Sequence, residues 1–172
     1  MTQYHFRKAN VSEIAIIWEI LQQAIIRRKN DGSSQWQDGY PNLVVVQKDI
    51  DQEVGYVLTE GTTIIGYSAV ILNDEPAYEN IEGKWLSNND FVVLHRVAIS
   101  EKYLGKGFAK LIFKNVENFA LENNIFSVKV DTNFDNIAMI KILDNLGYSF
   151  CGEVYFRGYS RKAYEKILVK TF

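Results

Sequence analysis

A chain of 172 residues, 47% hydrophobic and 23% charged, is long enough for one ordinary domain and apolar enough to bury a core, which excludes a disordered chain. Its 19 basic and 21 acidic side chains leave a net charge of −2, so a broad electropositive nucleic-acid face is not expected. Its one cysteine, Cys151, cannot close an internal disulfide, and with His5 and His95 as the two histidines the ligand spacings of a zinc site are not met.

The opening MTQYHFRKAN carries no apolar h-region, and no uninterrupted apolar run approaches the ~18 residues of a membrane span. The expectation is a soluble chain in a reducing, cytoplasmic compartment, with no metal, no membrane and no nucleic acid among its partners. No repeat, low-complexity tract or Pro/Gly/Ser-rich linker interrupts it, so residues 1–172 are expected to form a single domain. The sequence leaves the oligomeric state open and admits a homodimer.

Taken in order, YHFRKA alternates as a short strand. Asn10 stands three residues before Glu13, as in a capping box, and Ile14, Ile17, Trp18, Leu21, Ala24 and Ile25 then recur at helical spacing. The polar, aromatic-bearing stretch NDGSSQWQDGYPN breaks that helix. A second helix is expected from Leu43 to Glu53. GYVLTEGTTIIGYSAVIL reads as a hairpin turning at Glu60-Gly61. NDEPAYENIEGKWLSNND is a long excursion of the kind that often carries function. FVVLHRVAIS is an almost continuous apolar run, as in a central strand buried on both faces.

Beyond Gly107, Phe108, Leu111, Ile112, Val116, Phe119 and Ala120 line one helical face. IFSVKVD is a further strand, NIAMIKILDNLG a helix that Gly147 can end, and YSFCGEVYF with RKAYEKILV a closing antiparallel pair. The order is therefore β-α-α-β-β-β-α-β-α-β-β, an α/β (α+β) fold with a single central mixed β-sheet. Strand-helix-strand in the second half favours parallel pairing there.

The stretch YLGKGFAKLIF poses the chemical question. A helix N-terminus leaves its first N–H groups unpaired and carries roughly +0.5 of an elementary charge. Glycines before it let a phosphate approach the backbone, and Lys106 adds a cation, so pyrophosphate is the physical default. A P-loop needs Lys-Ser/Thr after its second glycine, which Gly107-Phe108 refuses, and a dinucleotide fingerprint needs Gly or Ala where Lys110 stands.

HRVAIS followed by EKYLGKGFAKLIF, with DN and LGY downstream, resembles the acetyl-CoA-binding core of the GNAT superfamily of N-acyltransferases. The resemblance extends over the whole element order and places Leu104, Gly105, Lys106, Gly107, Phe108 and Ala109 on the pyrophosphate turn, with Asn136 at the start of the later helix. Leu104 stands where the family carries Arg or Gln, and Leu143 where many members carry a general-acid Tyr. The resemblance implies that the strand Phe91–Ser100 splays from its parallel neighbour, so that backbone groups of Val97 and Ile99 pair with pantetheine. It also implies that the Val97 N–H faces the developing oxyanion.

An amine attacking the thioester must lose its proton. His95, two residues before Val97, is expected on the same strand face, and imidazole is the side chain whose ordinary titration lies nearest neutrality. A satisfied core histidine is the competing reading. Asp131 and Glu75 are the other candidate bases. Cys151 is the one thiol that a ping-pong scheme could use. For the acceptor, Trp36 and Tyr40 in the first loop and Glu75, Tyr78 and Trp85 in the long excursion, together with Asp131, join carboxylates to aromatics, which suits an ammonium group. WQDGYPN, EPAYENIEGKW and YFRGYSRKAYEK resemble a small-molecule branch of the superfamily, a similarity that suggests a compact amine or amino-acid acceptor. The expected activity is therefore acetyl transfer from acetyl-CoA to a small-molecule amine. A non-catalytic acyl-CoA-binding sensor and a protein or peptide N-acetyltransferase are the alternatives.

Overall fold

Asn10 and Glu13 cap each other as their spacing predicts: the Asn10 N–H donates to Glu13 Oε2 at 2.8 Å, and Arg7 clamps the same carboxylate at 2.6 and 3.0 Å. This box lies in a computed structural model of the chain that describes residues 3–170. The elements are β1 (Tyr4–Lys8), α1 (Ile14–Asn30), α2 (Leu43–Asp51), β2 (Gly55–Glu60), β3 (Thr63–Leu72), β4 (Glu82–Gly83), β5 (Val92–Ile99), α3 (Phe108–Glu122), β6 (Ser127–Thr132), α4 (Ile137–Asn145), β7 (Ser149–Phe156) and β8 (Tyr159–Ile167). The strands belong to one mixed sheet with helices about it, in the order read from the sequence. The two-residue β4 and a 3₁₀ turn at Pro76–Asn80 are additions that the sequence pattern did not give. Among the described residues no helix is long and apolar enough to cross a membrane.

By its contacts the chain forms two compact units, one from the stretch up to Val70 with Arg96–Phe113, the other from Ile71–His95 with the stretch from Lys114 on. In the first, β1, β2 and β3 pair antiparallel in sequence order, with a register shift between Leu58 and Thr59. The helical periodicity of α1 buries Ile17, Ile20, Leu21 and Ala24 against Val46 of α2, Val57, Ile64 and Tyr67. Burying an aliphatic side chain of this size stabilises by about 1.5–3 kcal/mol.

In the second unit β5 starts parallel to β6, with Val92 opposite Val128 and Val93 opposite Lys129. Strand β6 pairs antiparallel with β8, and β8 with β7. The expected parallel pairing therefore holds for β5-α3-β6 and not for β6-α4-β7, because β8 takes the place beside β6. Arg157 and Gly158, at φ 49° and 80°, make the tight turn that returns the chain from β7 to β8. Strand β4 docks on β7 glycine to glycine. A Cβ on Gly83 would stand 2.1 Å from the Cys151 carbonyl oxygen, and one on Gly152 2.2 Å from that of Glu82. Gly147 follows α4 with φ 80°, the C-terminal cap its position announced.

Candidate functional site

The chain leaves β5 through a 3₁₀ turn at Glu101–Tyr103 and reaches α3 by way of Leu104, Gly105, Lys106 and Gly107. Gly105 and Gly107 sit at φ 73° and 82°, and a Cβ built on either meets no heavy atom within 4 Å. Glycine is therefore needed here for backbone conformation, and its bare outer face lets a ligand come close. The Gly107 carbonyl accepts from the Leu111 N–H at 3.1 Å, which starts the helix and aims its first N–H groups back along the turn. Leu104 is exposed and supplies no polar group, and Ala109 is half-buried.

A cleft of about 320 Å³ opens beside the turn, lined by Tyr4, Glu60, Lys102, Tyr103, Lys106 and Phe108. Phe108 is buried against Tyr4 and Tyr103, with ring centres 5.0 and 5.9 Å away, and Lys106 Nζ lies 5.2 Å over the Tyr103 ring. The Tyr103 hydroxyl donates to Glu60 at 3.0 Å, which pushes its pKa up. Backbone donors, two lysines and positive-φ glycines make a set that fits a pyrophosphate.

Between His95 and Val97, Arg96 adopts φ 55°, a left-handed backbone in mid-strand. The regular alternation that put His95 and Val97 on one face is therefore broken at the residue between them. The Arg96 side chain is buried, and its guanidinium donates to Asp49 at 2.6 and 2.9 Å and to the Tyr40 hydroxyl. Tyr67 completes the network by donating to Asp49 at 2.6 Å. Burial, reinforced by the neighbouring Asp49 carboxylate, pushes the Tyr67 phenol far up and keeps it a donor. Tyr40 is thus engaged, and Trp36, half-buried at φ 62°, packs on the core of this unit. Val97 is half-buried, while the Ile99 carbonyl already accepts from Arg27 at 3.0 Å.

The second unit gathers His95, Glu75, Tyr78 and Asp131. His95 Nε2 lies 2.6 Å from Glu75 Oε2, and Nδ1 lies 3.7 Å from Asp131 Oδ1. With Nε2–H donating to Glu75, the imidazole lone pair rests on Nδ1, the nitrogen that faces Asp131. The Tyr78 hydroxyl donates to Asp131 at 2.7 Å, and burial raises its pKa well above the ordinary phenol value. Phe156 meets the edge of His95 at 6.1 Å between ring centres, and Arg161 Cζ lies 5.3 Å over Phe156. Trp85 acts as a buttress: its indole N–H donates to the Tyr78 carbonyl at 2.9 Å and its ring packs on Tyr78. Lys129 Nζ rests 4.5 Å over the Trp85 ring and 4.0 Å over Phe91, and burial lowers its pKa. Glu165, fully buried, accepts from the Leu86 and Ser87 N–H groups and from the Ser87 and Ser127 hydroxyls, pinning the segment that bears Trp85.

The Asn136 side chain accepts from the Met139 N–H at 3.2 Å and so caps α4, which gives it a structural task at the place named for cofactor binding. Leu143 is fully buried and packs in the core. Cys151 is buried, and burial pushes its thiol up, away from the thiolate that a ping-pong step needs. The buried network of Arg96, Asp49 and Tyr67, and the placing of Phe156 and Arg161 beside His95 and Asp131, were not anticipated from the sequence. Two adjacent ionisable residues, His95 and Arg96, inside an otherwise apolar strand were the available signal for the first three. Among the described residues no group of three His, Cys, Asp or Glu side chains is placed to hold a metal ion.

Residues 17–148 match the model of the acetyltransferase (GNAT) family. A GNAT-family acetyltransferase structure from Streptococcus agalactiae superposes with a TM-score of 0.89 and 35% identity, covering 99% of each chain. The structure of yncA from Salmonella typhimurium, solved with its cofactor acetyl-CoA, superposes with a TM-score of 0.67 at 14% identity, covering 98% of this chain and 95% of the other. The N-acetylaspartate synthetase of Xenopus tropicalis is 33% identical over 66 residues, which are 38% of this chain and 24% of that protein. The matched region is thus about a quarter of the length of that curated relative.

Proposed function

Because the chain belongs to the acetyltransferase (GNAT) family, we propose that it transfers the acetyl group of acetyl-CoA directly to the amine of a small-molecule acceptor. The observation that carries this reading is His95, hydrogen-bonded to Glu75 at 2.6 Å and two residues from Val97 on β5. Acetyl-CoA supplies an activated thioester, whose acetyl carbon is the electrophile.

The turn Leu104–Ala109 holds the pyrophosphate through the backbone N–H groups at the start of α3, with Lys106 adding charge. The Val97 N–H donates to the carbonyl oxygen as negative charge develops on it. His95 takes the proton from the incoming ammonium, and Glu75 fixes the tautomer and stabilises the imidazolium that forms. A departing thiolate has an ordinary pKa near 8.5 and can take its proton from solvent, so the absence of a Tyr at position 143 does not stop the reaction. Glu75 and Asp131 offer charge suited to a compact cation, with Tyr78 holding Asp131 and Trp85 packed on Tyr78, and the partial likeness to an N-acetylaspartate synthetase is in keeping with a small acceptor.

The test is release of CoA from acetyl-CoA over a panel of amino acids, polyamines, amino sugars and aminoglycosides, paired with calorimetry of acetyl-CoA binding. Binding with turnover of one class supports the proposal. Binding without turnover on any amine or peptide favours a sensor module, and acetylation confined to peptides redirects the reading to a protein acetyltransferase.

A further inference from the structure

Arg161 is a buried guanidinium whose ion pair, with Asp131, is a loose one. Its side chain is 10% exposed, and its Nε is buried with no hydrogen-bond partner among the described residues. Its Nη1 stands 3.6 Å from Asp131 Oδ2, outside hydrogen-bond reach. Where an arginine of this chain serves as a structural counter-ion the geometry is different: Arg96 meets Asp49 at 2.6 and 2.9 Å, and Arg7 meets Glu13 at 2.6 and 3.0 Å. Asp131 Oδ1 meanwhile accepts from the Tyr78 hydroxyl at 2.7 Å. Buried polar groups are almost always hydrogen-bonded, so a guanidinium held by one long ion pair and with a buried, unbonded Nε has capacity left for a ligand.

The guanidinium lies over Phe156, whose ring meets the edge of His95, and it faces the Asp131 carboxylate that also faces His95 Nδ1. Its planar fork matches a carboxylate or a phosphate in two parallel hydrogen bonds. Two carboxylates, Glu75 and Asp131, share the cluster with this one arginine. A dianionic phosphate would be repelled by both. A zwitterion places its ammonium group toward Glu75, His95 and Asp131, and its single negative charge on Arg161.

We infer that the acceptor is an amino acid or a close analogue, bearing a carboxylate that Arg161 receives while its amine is presented to His95. This deepens the small-amine reading and rests on it.

The experiment compares CoA release over a panel of free α-amino acids, the C-terminal amide of each, and phosphoethanolamine, in wild type, Arg161→Gln and Arg161→Lys. For the preferred acceptor the free acid should exceed its amide in kcat/KM by roughly 10- to 100-fold, the worth of a charge-assisted pair, with the difference carried by KM. In Arg161→Gln that ratio should fall toward one, and Arg161→Lys should keep part of it. Equal use of acid and amide by wild type, or an equal loss on both in Arg161→Gln, would overturn the inference and leave the acetyltransferase reading standing. Preference for phosphoethanolamine would replace carboxylate by phosphate and likewise overturn it. No release on this panel, with release on a polyamine, amino sugar or aminoglycoside, would overturn the inference alone; no release on any of them would sink both readings. If Arg161→Gln does not fold, the wild-type acid-to-amide ratio alone decides.

Discussion

Arg96 grips Asp49 with two parallel N–H···O contacts of 2.6 and 2.9 Å, and both side chains are less than a tenth exposed. Removing one partner strands a buried charge. Arg96→Met or Asp49→Asn should therefore cost about 3–5 kcal/mol, whereas replacing both by apolar residues should cost clearly less than the sum. Denaturant unfolding of the single and double variants measures this. Additive losses would mean that the pair is not the unit argued here.

Gly107→Val should weaken acetyl-CoA binding by tenfold or more. At φ 82° an L-residue is strained by about 1–2 kcal/mol, and its side chain projects where the turn meets no protein atom. Calorimetry gives the affinity and thermal unfolding separates the strain. An unchanged affinity would remove the pyrophosphate assignment.

His95→Gln should lower kcat/KM by about 10²–10⁴-fold and abolish the acidic limb of its pH profile, because the group that loses activity on protonation is gone. Glu75→Gln should lower the rate less, about tenfold, and keep that limb. A surviving acidic limb in His95→Gln would assign the base elsewhere.

The Tyr67 phenol titrates far above its ordinary value near 10, because burial and the Asp49 carboxylate disfavour the phenolate. Above that pH the unfolded chain releases a proton that the folded chain keeps. Its stabilising contribution is thus complete below pH about 10 and is lost as pH rises further; Tyr78 acts in the same sense. Tyr67→Phe should cost about 1–2 kcal/mol near neutrality and flatten the alkaline loss of stability, read from unfolding midpoints between pH 8 and 11. An unchanged alkaline slope would count against Tyr67 as its source.

Cys151→Ala should keep kcat within a few-fold of wild type, since burial keeps the thiol protonated and direct transfer does not use it. Trapping of a labelled acetyl group on the wild-type cysteine would reverse that view.

The order of elements was legible because the signals are local: the capping box at Asn10, the helical spacing from Ile14, the glycine that ends α4 and the apolar run of β5 each announce themselves within one segment. The same holds for the turn at Gly105–Gly107. The environment of the catalytic candidates was less legible. That His95 meets Glu75 depends on residues 20 apart, and that Arg96 meets Asp49 on residues 47 apart, with nothing in either segment to report the pairing. Arg96 also carries a backbone conformation that no residue preference indicates, and it voided the argument placing His95 and Val97 on one face. Asn136 has an ordinary local use as a helix cap, which its place at the start of α4 also announces.

The interleaving of the two units along the chain bears on how the protein is made. The first unit needs residues up to Phe113, and the second has already begun at Ile71. A ribosome delivers the segment Ile71–His95 before the first unit has received its last strand half and the turn at Gly107. Once synthesis reaches Phe113 every residue of the first unit is present while the second still lacks everything from Lys114 on, so the first unit is complete in the chain well before the second.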